Sequence, residues 1–144
     1  MGGERDLTKL LGSMRPQLQD GTMVFVTVPF AAGPPRGVEP VMVFREREGW
    51  TLILEEEAAR KAGLAGTFRC RMITLDVHSS LEAVGFIAAI AARLAQAGMG
   101  VNPVAGFWHD HLFVPADRAE EAMEMLREFS SPRLRGEDVG VADR

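Results

Sequence analysis

At 144 residues, 47% apolar and 25% charged, the chain has the composition of an ordinary globular protein, which excludes disordered, collagen-like and disulfide-built classes. A formal charge of −4 gives no long-range attraction for phosphate polymers or anionic membranes, so neither nucleic acid nor a membrane is an expected partner. The single cysteine, Cys70, excludes an intramolecular disulfide, and residues 1–8 lack the apolar core of a signal peptide, so the expected location is cytoplasmic.

Leu7, Leu10, Leu11, Met14 and Leu18 recur at helical spacing behind Asp6, which predicts a short amphipathic helix with Asp6 as its N-cap. Pro16 disfavours helix at Arg15 and ends it. Residues 22–28, TMVFVTV, follow the Asp20-Gly21 turn and are β-branched and aromatic enough to read as a strand. Residues 29–40 then hold four prolines and two glycines, a composition that no regular element tolerates, so a long surface loop is expected. Residues 41–46 and 50–54 flank Arg47-Glu48-Gly49 and predict a β-hairpin. A helix should follow, starting at Glu55, Glu56 and Glu57, where carboxylates meet the positive end of the helix dipole, and stopping with Gly63 at C′.

Residues 68–77, FRCRMITLDV, form the longest strand candidate, with Phe68, Cys70 and Met72 on one face and Arg69, Arg71, Ile73 and Leu75 on the other. The best helix is 81–97, rich in alanine and leucine, expected behind a Ser79 or Ser80 N-cap, ended by Gly98 and buried on most of its circumference. A second hairpin joins 101–108 to 112–115 around His109-Asp110-His111, and Pro103, which cannot donate a ladder hydrogen bond, marks its strand as an edge or as bulged near its start. Asp117 and Glu120 make a capping box for a last helix, 118–129, with Ala122, Met123, Leu126 and Phe129 on its buried face. Residues 131–144 read as a flexible tail.

Leu52-Ile53-Leu54 before an acidic helix start is echoed by Leu112-Phe113-Val114 before Asp117, which indicates a diverged duplication. Residues 1–66 hold the N-terminal helix and a first unit in which the proline loop replaces a helix. Residues 67–130 hold a second unit, β-α-β-β-α. A right-handed crossover puts the helix of each unit on one sheet face, so the expected class is α+β: a duplicated ferredoxin-like sandwich of antiparallel sheets with helices on one face. Each unit shows one strand fewer than such a sandwich requires, so strands are shared, exchanged or completed in a dimer.

The strand end and helix start Val77-His78-Ser79-Ser80-Leu81-Glu82-Ala83-Val84-Gly85, the run from Leu94 to Gly98 leading into Val101-Asn102, and His109-Asp110-His111-Leu112-Phe113-Val114-Pro115 together resemble the ACT domain family. Leu10-Leu11, Met14, Pro16 and the stretch from Gly21 to Phe25 add to the likeness, which is closest to small bacterial proteins with two tandem ACT-like units. Generic ACT domains carry a proline-glycine pair at the first helix, where this sequence has Val84-Gly85. The resemblance implies a small-molecule sensor, commonly of amino acids, with ligand at the interface between units near the first strand-helix loop and the second strand. On this chain the candidate ligand-binding residues are Asp76, His78, Ser79, Ser80, Gly85, Asn102 and Val104.

Residue chemistry agrees in kind with that site. Unpaired backbone N–H groups, two hydroxyls and the positive end of a helix dipole at 76–85 suit a carboxylate. Ser79 and Ser80 read equally as plain N-caps, and Gly85 equally as a point of tight helix–sheet packing. Asn102 is expected beside Asp76, where it would pair with an α-amino or amide group, and it reads equally as a turn-favouring residue after Gly98 and Gly100. His78, His109 and His111 raise a metal site, without HExxH or a cysteine cluster to support it. Neither a GxSxG, P-loop nor GxGxxG turn is present, and the absence of tyrosine argues against an RNA-binding sheet. The expected function is therefore a non-enzymatic regulatory or sensor protein that binds an amino acid, uses no cofactor or metal, and pairs as a homodimer. The alternatives are a ligand-free protein–protein interaction module and a metal-dependent hydrolase built on the three histidines.

Overall fold

A computed structural model describes residues 2–130; the tail expected at 131–144 lies outside the described residues. In chain order the elements are α1 (Leu7–Ser13), β1 (Arg15–Leu18), β2 (Met23–Val28), β3 (Met42–Arg45), β4 (Trp50–Glu55), α2 (Glu56–Lys61), β5 (Thr67–Asp76), α3 (Phe86–Gln96), β6 (Asn102–Ala105), β7 (Asp110–Pro115) and α4 (Ala119–Arg127). No helix among the described residues is long and apolar enough to cross a membrane.

The strands join one antiparallel sheet in the order β3-β4-β2-β5-β7-β6, with β1 also on β5. β5 is ten residues long and carries two short strands end to end along one edge. Its first half pairs with β2 through Met23↔Cys70 and Phe25↔Thr67, and its second half pairs with β1 from Leu18↔Ile73 to Arg15↔Asp76. Each unit thereby acquires the strand it lacked. The second unit reads β6-β7-β5-β1, completed by a strand from the N-terminal segment, and the first reads β3-β4-β2-β5, completed by the start of the second unit.

Helices cover one face of this sheet. Ile73 and Leu75 of β5 and Leu112 and Val114 of β7 pack with Leu10 and Met14 from the α1 end and with Phe86, Ile90 and Leu94 of α3. Under α2, Val24, Val26, Leu52 and Leu54 form a smaller core with Ala59. The other face carries no helix, yet Met23, Ile53, Cys70 and Phe113 are buried there. Curling of the sheet explains this: edge strands β3 and β6 come close enough that Met42 and Val104 line one cavity of about 130 Å³.

Three elements differ from the sequence expectation. β1 was hidden because Leu18 fits the helical spacing of Leu7 to Met14, whereas α1 ends at Ser13 ahead of Pro16, and Pro16 sits in a strand. α3 begins at Phe86, five residues late. Gly85 stands before it at φ +89°, and Leu81 and Val84 are exposed, so the turn they would have formed had no core to pack against. Its burial is also one-sided, on Phe86, Ile90 and Leu94, because alanine loses little by facing water. α4 starts at Ala119 after a 3-10 turn and uses no side-chain cap, so Asp117 and Glu120 form no capping box.

Candidate functional site

At one end of the helix-covered face, β5, the loop 77–85 and the first turn of α3 converge on the start of β7. Val77 N–H donates to the Leu75 carbonyl and Ser79 N–H to the Val77 carbonyl, both at 2.9 Å, and these tight turns carry the chain off the sheet. Ser79 ends facing inward. Its Oγ donates to Asp110 Oδ2 at 2.8 Å, and the two are the buried polar residues of the described chain, 7% and 8% exposed. Asp110 is buried because it shares the helix-facing phase of β7 with Leu112 and Val114.

A cleft of about 210 Å³ opens over this pair, walled by Ser80, Gly85, Phe86, Ile87 and Ala105. The first α3 bond from its N-cap runs from Ala89 N–H to the Gly85 carbonyl at 2.9 Å, and no side chain caps the helix. The amides of Phe86, Ile87 and Ala88 therefore have no intrahelical acceptor. Asp110 Oδ1 has no partner among the described residues. One small cleft thus combines a cluster of free donors at a positive helix end with a carboxylate, which is complementary to the carboxylate and ammonium of a zwitterion.

Of the residues singled out in the sequence, Ser79, Ser80 and Gly85 line this cleft, though neither serine caps α3: Ser79 is committed to Asp110, and Ser80 Oγ accepts from Glu82 N–H at 3.1 Å. His78 lines an adjoining cleft of about 310 Å³ with Gly3, Glu82 and Phe107, its ring 5.2 Å from that of Trp108. Asp76 lies at the exposed end of β5, its Oδ1 3.4 Å from His109 Nε2. Asn102 is not beside Asp76. β7 intervenes between β6 and β5, and Asn102 pairs with Phe113 at the end of β6 away from the cleft. Val104 lies on the opposite sheet face, in the 130 Å³ cavity with Met42, Met72 and His111. The residue missed in the sequence is Asp110, read there as a hairpin tip. Its one legible signal is its phase: it precedes Leu112 and Val114 by two and four residues, on the buried side of the strand.

The histidines do not converge. His109 and His111 share a face with rings 6.4 Å apart, and His78 lies elsewhere against Trp108. Among the described residues no group of three or more His, Cys, Asp or Glu side chains is placed to hold a metal ion. Instead, His111 Nδ1 lies 3.0 Å from Thr74 Oγ1, which accepts from Gln19 Nε2 at 3.1 Å. Burial first, and then the neighbouring His109, hold the His111 imidazole below its ordinary value of 6.5, with Asp110 opposing. The folded state therefore favours neutral His111. Its contribution to stability is present above the unfolded value and is lost as pH falls through the lower folded one. Denaturant midpoints are expected to drop as pH falls below the ordinary imidazole value, and more shallowly in His111→Gln, which keeps a polar partner for Thr74. Equal slopes in the two proteins would contradict this. Burial also pushes the Cys70 thiol up to about 11, which leaves no useful thiolate at neutral pH.

ACT-domain models match residues 2–71 and 67–128. The chain belongs to the ACT-domain family. The two matches overlap in the first half of β5, the segment that the two units share as a strand. As a family, ACT domains are regulatory units that bind small molecules, amino acids in general. A Vibrio cholerae protein of unknown function, described as a possible transport protein, is 46% identical to this ACT-domain chain, with a TM-score of 0.79 over 87% of this chain and 96% of that one. An Agrobacterium tumefaciens protein shares the fold at 14% identity and a TM-score of 0.69, covering 81% and 89% of the two chains. The regulatory subunit of aspartate kinase from Thermus thermophilus, in a ligand-free form, shares it at 12% identity and a TM-score of 0.59, covering 84% of this chain and 99% of that one. No curated protein matches the chain in sequence.

Proposed function

We propose that this ACT-domain protein is a cytoplasmic sensor that binds an amino acid in the Ser79–Asp110 cleft and responds through contact with a second copy of itself. The ligand carboxylate takes the free amides of Phe86, Ile87 and Ala88, and its ammonium takes Asp110. The observation that carries this reading is the buried Asp110 carboxylate, with one oxygen bonded to Ser79 and the other unpartnered at a cleft floored by an uncapped helix end. An isolated helix dipole contributes only about 0.3–1 kcal/mol at an exposed terminus, so the buried counter-charge is what makes the pocket selective.

The expectation of a site between the two units is narrowed here. The cleft is walled by the second unit alone, and the junction of the units holds the apolar cavity beside Met42 and Val104. Leu81, Phe86, Ile87 and Ala105 give the cleft apolar walls. A small or aliphatic amino acid suits them better than one with a charged side chain.

A thermal-shift screen of the purified protein against the standard amino acids tests this directly. Ligand at about 100 times its dissociation constant adds about 2.7 kcal/mol, which corresponds to a rise of roughly 5–10 °C for a chain of this size. No rise with any amino acid at millimolar concentration would overturn the proposal.

A further inference from the structure

The segment ahead of α1 is tied to the loop 77–85 on one side of the cleft. Glu4 N–H donates to the His78 carbonyl at 2.8 Å, and Ser80 N–H donates to the Glu4 carbonyl at 2.9 Å, a short parallel bridge that brackets Ser79 on both sides. Arg5 lies 3.7 Å from Glu82, and the Leu7 side chain is 3.5 Å from the position a Cβ would take on Gly85. Gly3 passes so close to the loop that a Cβ there would meet the His78 carbonyl oxygen at 2.5 Å and the Ser80 nitrogen at 2.6 Å, both of them backbone atoms that cannot step aside. A Cβ on Gly2, by contrast, would meet nothing within 4 Å.

We infer that residues 3–5 are a strap that positions Ser79 for the cleft, and that docking of the strap and binding of the amino acid strengthen one another. The inference rests on the reading of the cleft given above. Ser79 satisfies one oxygen of a buried carboxylate, and that leaves the other for an ammonium. Its backbone has no helix or strand ladder to hold it, and the Glu4 bridge supplies the restraint. A loop released from the strap loses two backbone partners and the fixed direction of the Ser79 hydroxyl. Any ligand that requires that direction then binds the strapped form in preference, and by linkage it must tighten the strap by the same factor.

The test compares Gly3→Ala with Gly2→Ala in the full, nitrogen-15-labelled chain, titrated with an equimolar mixture of the standard L-amino acids. Amide hydrogen exchange at Glu4 and Ser80 reads the strap, and the shifts of the α3 amides read binding. In Gly3→Ala both strap amides are expected to exchange at least about tenfold faster, with binding weakened by a similar factor and exchange across β4 and β7 unchanged. Gly2→Ala is expected to match the unmodified chain. In the unmodified chain the mixture should slow exchange at Glu4 and Ser80. Strap amides that open in Gly3→Ala without loss of affinity would overturn the strap alone, as would a Gly3→Ala chain in which they stay closed. Failure of the unmodified chain to bind any component would overturn the reading of the cleft itself.

Discussion

Replacing Asp110 with asparagine is expected to raise the dissociation constant for the amino acid at least about thirtyfold while leaving the fold in place, since loss of a buried charge partner costs about 2 kcal/mol or more. Asparagine has the same shape, and its amide oxygen can still accept from Ser79 Oγ, so what is removed is the charge that faces the cleft. Calorimetric titration against the best ligand of the screen measures the change. Ser79→Ala provides the contrast. It leaves the Asp110 carboxyl group without a donor on Oδ2, which weakens stability by about 1–3 kcal/mol and affects the ligand only through the direction of that group. If Asp110→Asn bound as tightly as the unmodified protein, the ammonium would not lie at Asp110, and the assignment of the cleft would fall.

Truncating Phe113 to alanine is expected to cost about 3–5 kcal/mol and to weaken both units together. Phe113 is 2% exposed on the helix-free face, where it packs with Met23 of β2, Ile53 of β4 and Cys70 of β5 and stands edge-on to Phe25 at 5.9 Å. Those strands belong to both units, so the cavity left behind lies in a core that neither can re-form alone. The two tryptophans report the units separately: Trp50 opens β4, and Trp108 lies in the turn before β7. Urea unfolding followed in Trp50→Phe and Trp108→Phe backgrounds should show one common midpoint, lowered equally by Phe113→Ala. A shifted Trp108 transition beside an unshifted Trp50 transition would show two independent units and contradict the strand exchange as a source of cooperativity.

Local signals in the sequence were sufficient where the physics is local. Gly63 and Gly98 were legible as helix stops, and each closes a Schellman motif, with Gly63 and Leu64 N–H groups on the Arg60 and Ala59 carbonyls and Gly98 and Met99 on those of Ala95 and Leu94. Asp6 caps α1 through Lys9 N–H at 3.0 Å, and the alternation of β5 separates Cys70 from Ile73 across the sheet as its period requires. Pro103 sits on an edge strand, as its missing donor demands. Strand order was not legible, because it depends on partners far apart in the chain. Nothing near Arg15 or Leu18 announces pairing with Asp76 and Ile73, and nothing near Asn102 says that β7 will stand between it and Asp76. The candidate site divides in the same way. Ser79, Ser80 and Gly85 were visible as a strand-to-helix turn, while Asp110 becomes part of it only when β7 places it beneath that turn.

The claim on which the rest depends is that the cleft takes the amino and carboxylate groups of one ligand, and the most direct measurement is a crystal structure of the full chain grown with the amino acid that raises its melting temperature most. The expected density puts the ligand carboxylate within hydrogen-bond distance of the Phe86, Ile87 and Ala88 amides and its ammonium against Asp110 Oδ1, with Ser79 still bonded to Oδ2. Ligand bound in the cavity beside Met42 and Val104, or held elsewhere with the Asp110 cleft empty, would contradict it.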